Sequence, residues 1–264
     1  MKAYLLFLKI RMTRGLRKGL FKAIVYLLTS FGLFFYLSER EKTNIIVYAW
    51  FRKIDDIIDG EEVWDGNIDT YIHQKKNILK GDFSVCLEED TLFIYLIELT
   101  KKYDINIWQE VKDLFEAMEN EYGYRNKFVP KKELHQNWAK QDKAIFSMIS
   151  KIVGEEVYLY SNSELSEFWG IFTRVDSLKD IKEDVKQGII NIPLEDALKY
   201  KMNIDELISS SNLESISGFK EWYEKENKEV LEEMEKVISI IKKRNDLPLF
   251  NFVFSLNNIR VRVL

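Results

Sequence analysis

Three aspartates stand close together among apolar residues in "AWFRKIDDIIDG", residues 49–60. Asp55 and Asp59 are four residues apart, so on a helix they share one face. Like charges at this spacing repel by roughly 0.2–0.5 kcal/mol when exposed, and by more beside apolar side chains. We therefore expect a positive partner. Arg52 lies one turn earlier, and a divalent cation would compensate the charge better.

A second aspartate row occurs in "DSLKDIKED", residues 176–184. Asp176, Asp180 and Asp184 follow at i, i+4 and i+8 and stack on one helical face. Alone, this row is equally typical of a solvated surface in a chain that is 31% charged. Together the two rows indicate carboxylate helices on either side of a cavity, holding Mg²⁺ ions whose shells are completed by water and phosphate oxygens. The chemistry favoured is ionisation of a diphosphate ester, with the metals stabilising the leaving group.

Composition excludes several other classes of function. The chain has 264 residues with 39 basic and 43 acidic side chains, so no broad basic face for nucleic acid is expected. A single cysteine, Cys86, excludes an internal disulfide and fits a reducing, cytoplasmic compartment. Two histidines and one cysteine also make zinc a poor candidate, which leaves a hard cation bound by carboxylates.

Apolar residues recur at three- and four-residue spacing along nearly the whole chain, which has only three prolines. Alternating strand patterns are scarce, so the sequence predicts an all-α domain of about ten helices. The expected breaks are 60–67, 81–82, 123–130, 154–161, 188–193 and 209–217.

The first 38 residues differ from the rest because they are basic and contain no acid. Within them the run 23–38 has no charge, and three interpretations compete. A membrane span needs about 20 apolar residues, more than the run offers, and no cleavage site of a signal peptide stands out. We expect a buried helix behind a basic amphipathic arm that rests on anionic lipid. This divides the chain into an arm, 1–28, and a helical domain, 29–264, at the inner face of the membrane.

The stretch "YAWFRKIDDIID" resembles the first aspartate motif of the squalene/phytoene synthases, which join two prenyl diphosphates head to head. The second row resembles that family's second motif, and "LFEAMENEYG" (114–123) is similar to its middle helix. "TSF" (29–31) resembles the Ser-Phe signature of its first core helix. The likeness runs from about residue 29 to beyond residue 195. The matching positions outside the aspartate rows are Ser30, Phe31, Tyr48, Arg52 and Glu121.

The resemblance implies an isoprenoid-synthase fold, a single helical bundle around a deep central pocket. It implies Mg²⁺, for which Mn²⁺ can substitute, and two prenyl diphosphates of farnesyl or geranylgeranyl length. Arg52, Lys53 and Lys179 would grip diphosphate, and Tyr48 would face the reacting carbons. Ser30, Phe31 and Glu121 would contact substrate. The implied metal ligands, which are also catalytic, are Asp55, Asp59, Asp176, Asp180 and Asp184. The use of NADPH, the chain length and the oligomeric state stay open.

The chain departs from the family pattern at several positions. Asp176 stands where the family has Asn, and Lys179 replaces the usual Arg. After the second row, Ile189 and Asn191 occupy places where an Arg and an aromatic residue are usual. The segment 133–154 lacks the family's Tyr and small residues. Its replacements are Asn137, Gln141, Asp142 and Lys143.

Three functions follow from this pattern. Head-to-head condensation to a squalene- or phytoene-like product is favoured. The altered segment 133–154 and Ile189 instead favour a terpene cyclase, or a prenyltransferase to another acceptor, on the same fold. The third is a non-catalytic assembly factor. Such a relative should have lost metal ligands, so the five retained carboxylates argue against it.

Overall fold

The computed structural model describes residues 6–10, 38–154 and 169–242, and these residues confirm the all-α prediction. No strand occurs among them, and Val129 and Pro193 form an isolated parallel bridge. Residues 6–10 are helical, and two short 3₁₀ turns span Val185–Gln187 and Leu213–Ser215. The named α-helices are α1 (Lys42–Ile58), α2 (Ile68–Leu79), α3 (Asp90–Lys102), α4 (Trp108–Gly123), α5 (Lys131–Val153), α6 (Ile171–Asp184), α7 (Leu194–Lys199), α8 (Ile204–Ser209) and α9 (Phe219–Lys242).

The chain divides into two compact units. The first unit comprises residues 1–112 and 148–156, and the second comprises 113–147 and 157–264. The first aspartate row belongs to the first unit and the second row to the second unit. The expected boundary between an arm and a helical domain, at residues 28 and 29, lies outside the described residues and stays a prediction.

Helix α1 packs on α3 and α2 in the first unit. Trp50, Ile54 and Ile57 are buried on one side of α1, as their spacing of four and three residues predicts. The Trp50 ring lies 4.5 Å from the Phe93 ring of α3, measured between centroids. Burial of these side chains fixes the side of α1 that is left for the aspartates.

A buried charged cluster joins the same three helices. Lys75 of α2 has no exposed surface, and its Nζ donates to Glu89 Oε1 at 2.7 Å and to Asp90 Oδ1 at 2.7 Å. The indole N–H of Trp50 donates to Asp90 Oδ1 at 3.2 Å, and the Tyr71 hydroxyl donates to Glu89 Oε1 at 2.9 Å. Burial works to raise the pKa of Glu89, but the Lys75 ammonium and the hydrogen bonds that Glu89 accepts together hold that pKa below its usual range. The cluster therefore ties α1 to α3 through the Trp50 indole, and α2 to the start of α3 through Lys75.

Helix α6 packs against α9 in the second unit. Ile171, Val175 and Leu178 form its apolar side and join a core that includes Trp222 and Met234. Because this side repeats at three- and four-residue spacing, it directs α6 so that the aspartates at the intervening positions lie outside the core.

The charge-free run 23–38 lies outside the described residues except for Ser38. Within residues 6–10, 38–154 and 169–242, no helix is long and apolar enough to cross a membrane. Lys9, in the described part of the predicted arm, forms an exposed ion pair with Glu88 at 2.6 Å. Contact of the arm with lipid stays a prediction.

Candidate functional site

The first aspartate row is part of a polar stripe that runs along α1 and ends at its C-cap, Asp59. Tyr48, Arg52, Asp55 and Asp59 are spaced by four, three and four residues, so at about 100° per residue they all lie within about 40° of one line. The buried apolar side of α1 is centred about 180–240° away from this line. The stripe is therefore the polar side of the helix, and 46% of Tyr48 is exposed.

Arg52 is the central cation of this stripe. Its guanidinium forms an ion pair with Asp55 one turn later, and its Nε lies 2.9 Å from Asp56 Oδ1. A third carboxylate, Glu61 of the α1–α2 loop, lies 3.6 Å from its Nη2. The neighbouring Lys53 pairs with Glu62 of the same loop. Two of the three cations predicted to grip diphosphate, Arg52 and Lys53, are thus held in place by carboxylates of α1 and of the loop after it.

The electrostatics of the stripe favour additional positive charge. Burial raises the pKa of the Asp55 carboxyl above its usual range, and the Arg52 guanidinium works against that rise. Asp56 and Glu61 contribute to the rise because their negative charges disfavour ionisation of Asp55. A cation bound beside Asp55 would stabilise its ionised form.

Asp56 is a member of this group that sequence reasoning did not select. Its side chain is fully buried, whereas 23% of the Asp55 side chain is exposed. Helix geometry could have indicated this. Asp56 follows Asp55 by one residue, so its side chain is rotated about 100° from that of Asp55 toward the packed side of the helix. Its main-chain carbonyl also accepts the N–H of Glu62 at 2.7 Å, which fixes the start of the α1–α2 loop.

The second row lies on α6 as the sequence predicts. Asp176 is exposed, while Asp180 and Asp184 are half-buried. The Asn191 amide donates to Asp184 Oδ2 at 3.4 Å, so this residue interacts with the row. Lys179, between the first two aspartates of the row, is exposed and open to solvent.

The N-terminus of α6 is held by Asp142 of α5, a role that its sequence context did not reveal. The carboxylate is 2% exposed and accepts the N–H groups of Gly170 at 2.7 Å, Phe172 at 3.0 Å and Thr173 at 3.1 Å. The Thr173 hydroxyl donates to it as well, at 2.8 Å. Burial raises the pKa of Asp142 to about 6, although these hydrogen bonds lower it.

Arg174 fixes the opposite side of α6. This buried guanidinium contacts three glutamates of α9: Glu226 at 2.5 Å, Glu233 at 3.0 Å and Glu229 at 3.7 Å. Viewed down the helix axis, the Arg174 side chain projects about 200–280° away from the three aspartates of the row. The ion pairs on α9 thus direct the aspartates to the other side of α6.

Other predicted site residues have different surroundings. Glu121 of α4 accepts a hydrogen bond from Gln141 of α5 at 3.1 Å. Asn137 of α5 donates to the Ala117 carbonyl at 3.0 Å, so the altered segment 133–154 cross-links α4 and α5 within the second unit. Ser30 and Phe31 lie outside the described residues, and their predicted contact with substrate stays a prediction.

No family model matches the chain. It is similar to a 15-cis-phytoene synthase of Synechocystis, with 22% identity over 177 residues. The matched part covers 63% of this chain and 51% of the relative, so the chain spans about half the length of that protein. The likeness is distant and partial, and it agrees with the resemblance read from the two aspartate rows.

The donor chemistry of the rows fits Mg²⁺. All five predicted ligands are carboxylates, and Mg²⁺ uses one or two of these together with water and substrate phosphates. In the part of the chain that the structure describes, no group of three or more His, Cys, Asp or Glu residues is placed to hold a metal ion.

Proposed function

We propose that the protein is a Mg²⁺-dependent prenyltransferase that condenses two prenyl diphosphates head to head and releases diphosphate. The observation that carries the proposal is the stripe on α1, which places Tyr48, Arg52, Asp55 and Asp59 on one line. The distant similarity to a 15-cis-phytoene synthase supports the same class of reaction and a squalene- or phytoene-like product.

The five aspartates would hold the metal ions and orient the diphosphate through them. Mg²⁺, when bound, supplies Lewis-acid stabilisation of the charge that develops on the leaving diphosphate. Asp55 and Asp59 would act from α1, and Asp176, Asp180 and Asp184 from α6. Mn²⁺ is expected to replace Mg²⁺ because it too accepts carboxylate and phosphate oxygens.

Arg52, Lys53 and Lys179 would bind diphosphate oxygens directly. Arg52 presents a planar fork that suits phosphate, and its contact with buried Asp56 holds that fork at a fixed orientation. Lys53 would exchange its pairing with Glu62 for the substrate. Lys179 is already exposed, so its binding requires no such exchange.

Tyr48 would present its ring to the reacting carbons. The ring is partly exposed on the stripe, one turn before Arg52. An aromatic face stabilises a nearby carbocation without capturing it, as a nucleophilic side chain would.

One observation favours a second candidate, a terpene cyclase or a prenyltransferase to another acceptor on the same fold. Ile189 stands where the resemblance leads one to expect an arginine, and it is buried and apolar. It cannot bind a second diphosphate group. A reaction that ionises only one prenyl diphosphate has no need of that cation.

A product assay tests the proposal. The purified chain would be incubated with farnesyl or geranylgeranyl diphosphate and Mg²⁺, with and without NADPH, while pyrophosphate and extractable products are measured. A C30 or C40 hydrocarbon, or its cyclopropyl diphosphate, is the expected result. Pyrophosphate with only C15 or C20 products would instead establish the second candidate.

Two controls make the assay specific. Asp55→Asn should abolish pyrophosphate release, whereas Asp65→Asn, in the exposed α1–α2 loop, should leave it unchanged. No pyrophosphate from either substrate would overturn the proposal and favour a non-catalytic role.

A further inference from the structure

The N-terminus of α6 has no capping side chain of its own. Its N-cap is Gly170, and its first turn contains no acid. The first N–H groups of a helix have no partner within the helix and carry a partial positive charge. Ser, Thr, Asp and Asn are the residues preferred at the N-cap, where their side chains accept from these groups. Here the acceptor comes from α5, in the form of Asp142.

The local backbone allows no simple replacement for this arrangement. Gly170 has φ +100°, a conformation that side chains other than glycine rarely adopt. A Cβ at Gly170 would lie 3.1 Å from the main-chain nitrogen of Ala139 and 3.2 Å from Cβ of Trp138. Helices α5 and α6 therefore meet too closely for an ordinary N-cap side chain, and the short carboxylate of Asp142 fills that function.

We propose that Asp142 is a positioning residue for the second aspartate row, an inference that rests on the proposed function of that row. Its four hydrogen bonds end at Thr173, and Asp176 begins the row three residues later, less than one turn away. Asp142 fixes the first turn of α6 along the helix axis. The pairing of Arg174 with α9 fixes the rotation. Both together set where Asp176 and Asp180 point.

Both oxygens of the carboxylate are needed. Oδ2 accepts from the N–H groups of Gly170 and Phe172, and Oδ1 accepts from the N–H and hydroxyl of Thr173. An asparagine has one acceptor oxygen and presents an NH₂ group to the remaining donors, so it can keep only one side of the arrangement. Thr173→Val removes one of the four bonds and leaves the three to main-chain N–H groups.

The test compares Asp142→Asn and Thr173→Val with a variant that destabilises the same unit elsewhere. Leu207→Ala serves for this purpose, because Leu207 is fully buried on α8. Three quantities are measured for the full chain: Mn²⁺ binding by electron paramagnetic resonance, amide hydrogen exchange over residues 170–176, and KM and kcat for pyrophosphate release. Urea unfolding gives the stability of each variant.

Asp142→Asn should weaken Mn²⁺ binding and raise KM at least fivefold, with faster exchange over residues 170–176. Thr173→Val should change the Mn²⁺ dissociation constant and KM less than threefold each. Leu207→Ala should lower stability and leave Mn²⁺ affinity unchanged. If Asp142→Asn binds Mn²⁺ as the parent does, or if Leu207→Ala weakens binding as much, the positioning role is refuted.

Failure of the proposed function gives a different pattern. If the parent chain releases no pyrophosphate, the proposed prenyltransferase function is refuted. Mn²⁺ binding and amide hydrogen exchange would still test the positioning role of Asp142. If Asp142→Asn does not fold, Asp142→Glu is used. It retains the charge but moves the carboxylate by one methylene, and parent-like Mn²⁺ binding in that variant overturns the inference.

Discussion

The buried carboxylate of Asp56 lies 2.9 Å from Nε of Arg52, one helical turn earlier on α1. This contact leaves the outer nitrogens of the guanidinium to Asp55 and Glu61, both of which are partly exposed. Asp56 thus supports Arg52, the side chain proposed to bind diphosphate. Asp56 itself does not belong to the exposed stripe.

Asp56→Asn is therefore expected to weaken substrate binding more than turnover. The variant loses a charge-assisted contact to Arg52, so KM should rise about five- to tenfold while kcat falls less. Loss of one charge of this largely buried ion pair should also lower the free energy of unfolding. Steady-state kinetics and urea unfolding measure the two effects. Asp65→Asn is the control, and a kcat effect larger than the KM effect would contradict the role.

Removal of a proposed metal ligand should act on turnover instead. Asp55→Asn and Asp180→Asn are each expected to reduce pyrophosphate release at least a hundredfold, because charge on the leaving diphosphate would be poorly stabilised. EDTA should abolish release, and added Mg²⁺ or Mn²⁺ should restore it. Exposed Glu183, which lies beside the row on α6, provides the control Glu183→Gln. Full activity after EDTA treatment would rule out a metal requirement.

The sequence predicted the parts of the fold that local spacing determines. The polar stripe and the apolar side of α1 both follow from helical periodicity, and the breaks near Gly60, Gly81, Gly123 and Gly188 coincide with helix ends. The break at residues 103–107 was not predicted. It contains Asp104 at φ 51°, a conformation that asparagine and aspartate tolerate but do not require.

Contacts between helices distant in sequence could not be predicted. Nothing around Asp142 indicates that it caps a helix beginning 29 residues later, since the signal is the absence of a cap at Gly170. In the sequence, Asp56 resembles Asp55 and Asp59. Only the packing of α1 shows that Asp56 is the one of the three that is fully buried. Lys75 likewise looks like an exposed residue of a polar helix. Tertiary packing decided the surroundings of all three.

Lys75 should be among the side chains most costly to replace. Lys75→Met leaves Glu89 and Asp90 buried without their cation, and loss of one partner of a buried pair costs about 3–5 kcal/mol. Urea unfolding should show this loss, while Lys101→Ala, an exposed change on α3, should alter stability by less than about 0.5 kcal/mol. Adding Glu89→Gln and Asp90→Asn should recover part of the stability. No recovery in the triple variant would contradict an electrostatic origin.

Because the pKa of Asp142 is raised to about 6, we expect the free energy of unfolding to depend on pH. An ordinary aspartate titrates near 3.9, so the folded chain binds this proton more tightly than the unfolded chain does. The stability that this group contributes is therefore fully present below about pH 4 and is lost as the pH rises through about 6. The difference is on the order of 3 kcal/mol.

Two measurements check this. Carbon-13 NMR of the Asp142 carboxyl should give a titration midpoint near pH 6. Unfolding free energies at intervals from pH 4 to 7 should show a falling contribution in the parent that is missing in Asp142→Asn, which has no carboxyl to titrate. Asp82, whose pKa is lowered by hydrogen bonds from Ser84, is the internal comparison and should titrate below its usual range. A midpoint for Asp142 below 4 would mean that the N–H groups of α6 outweigh burial, and the slope of stability with pH would then reverse.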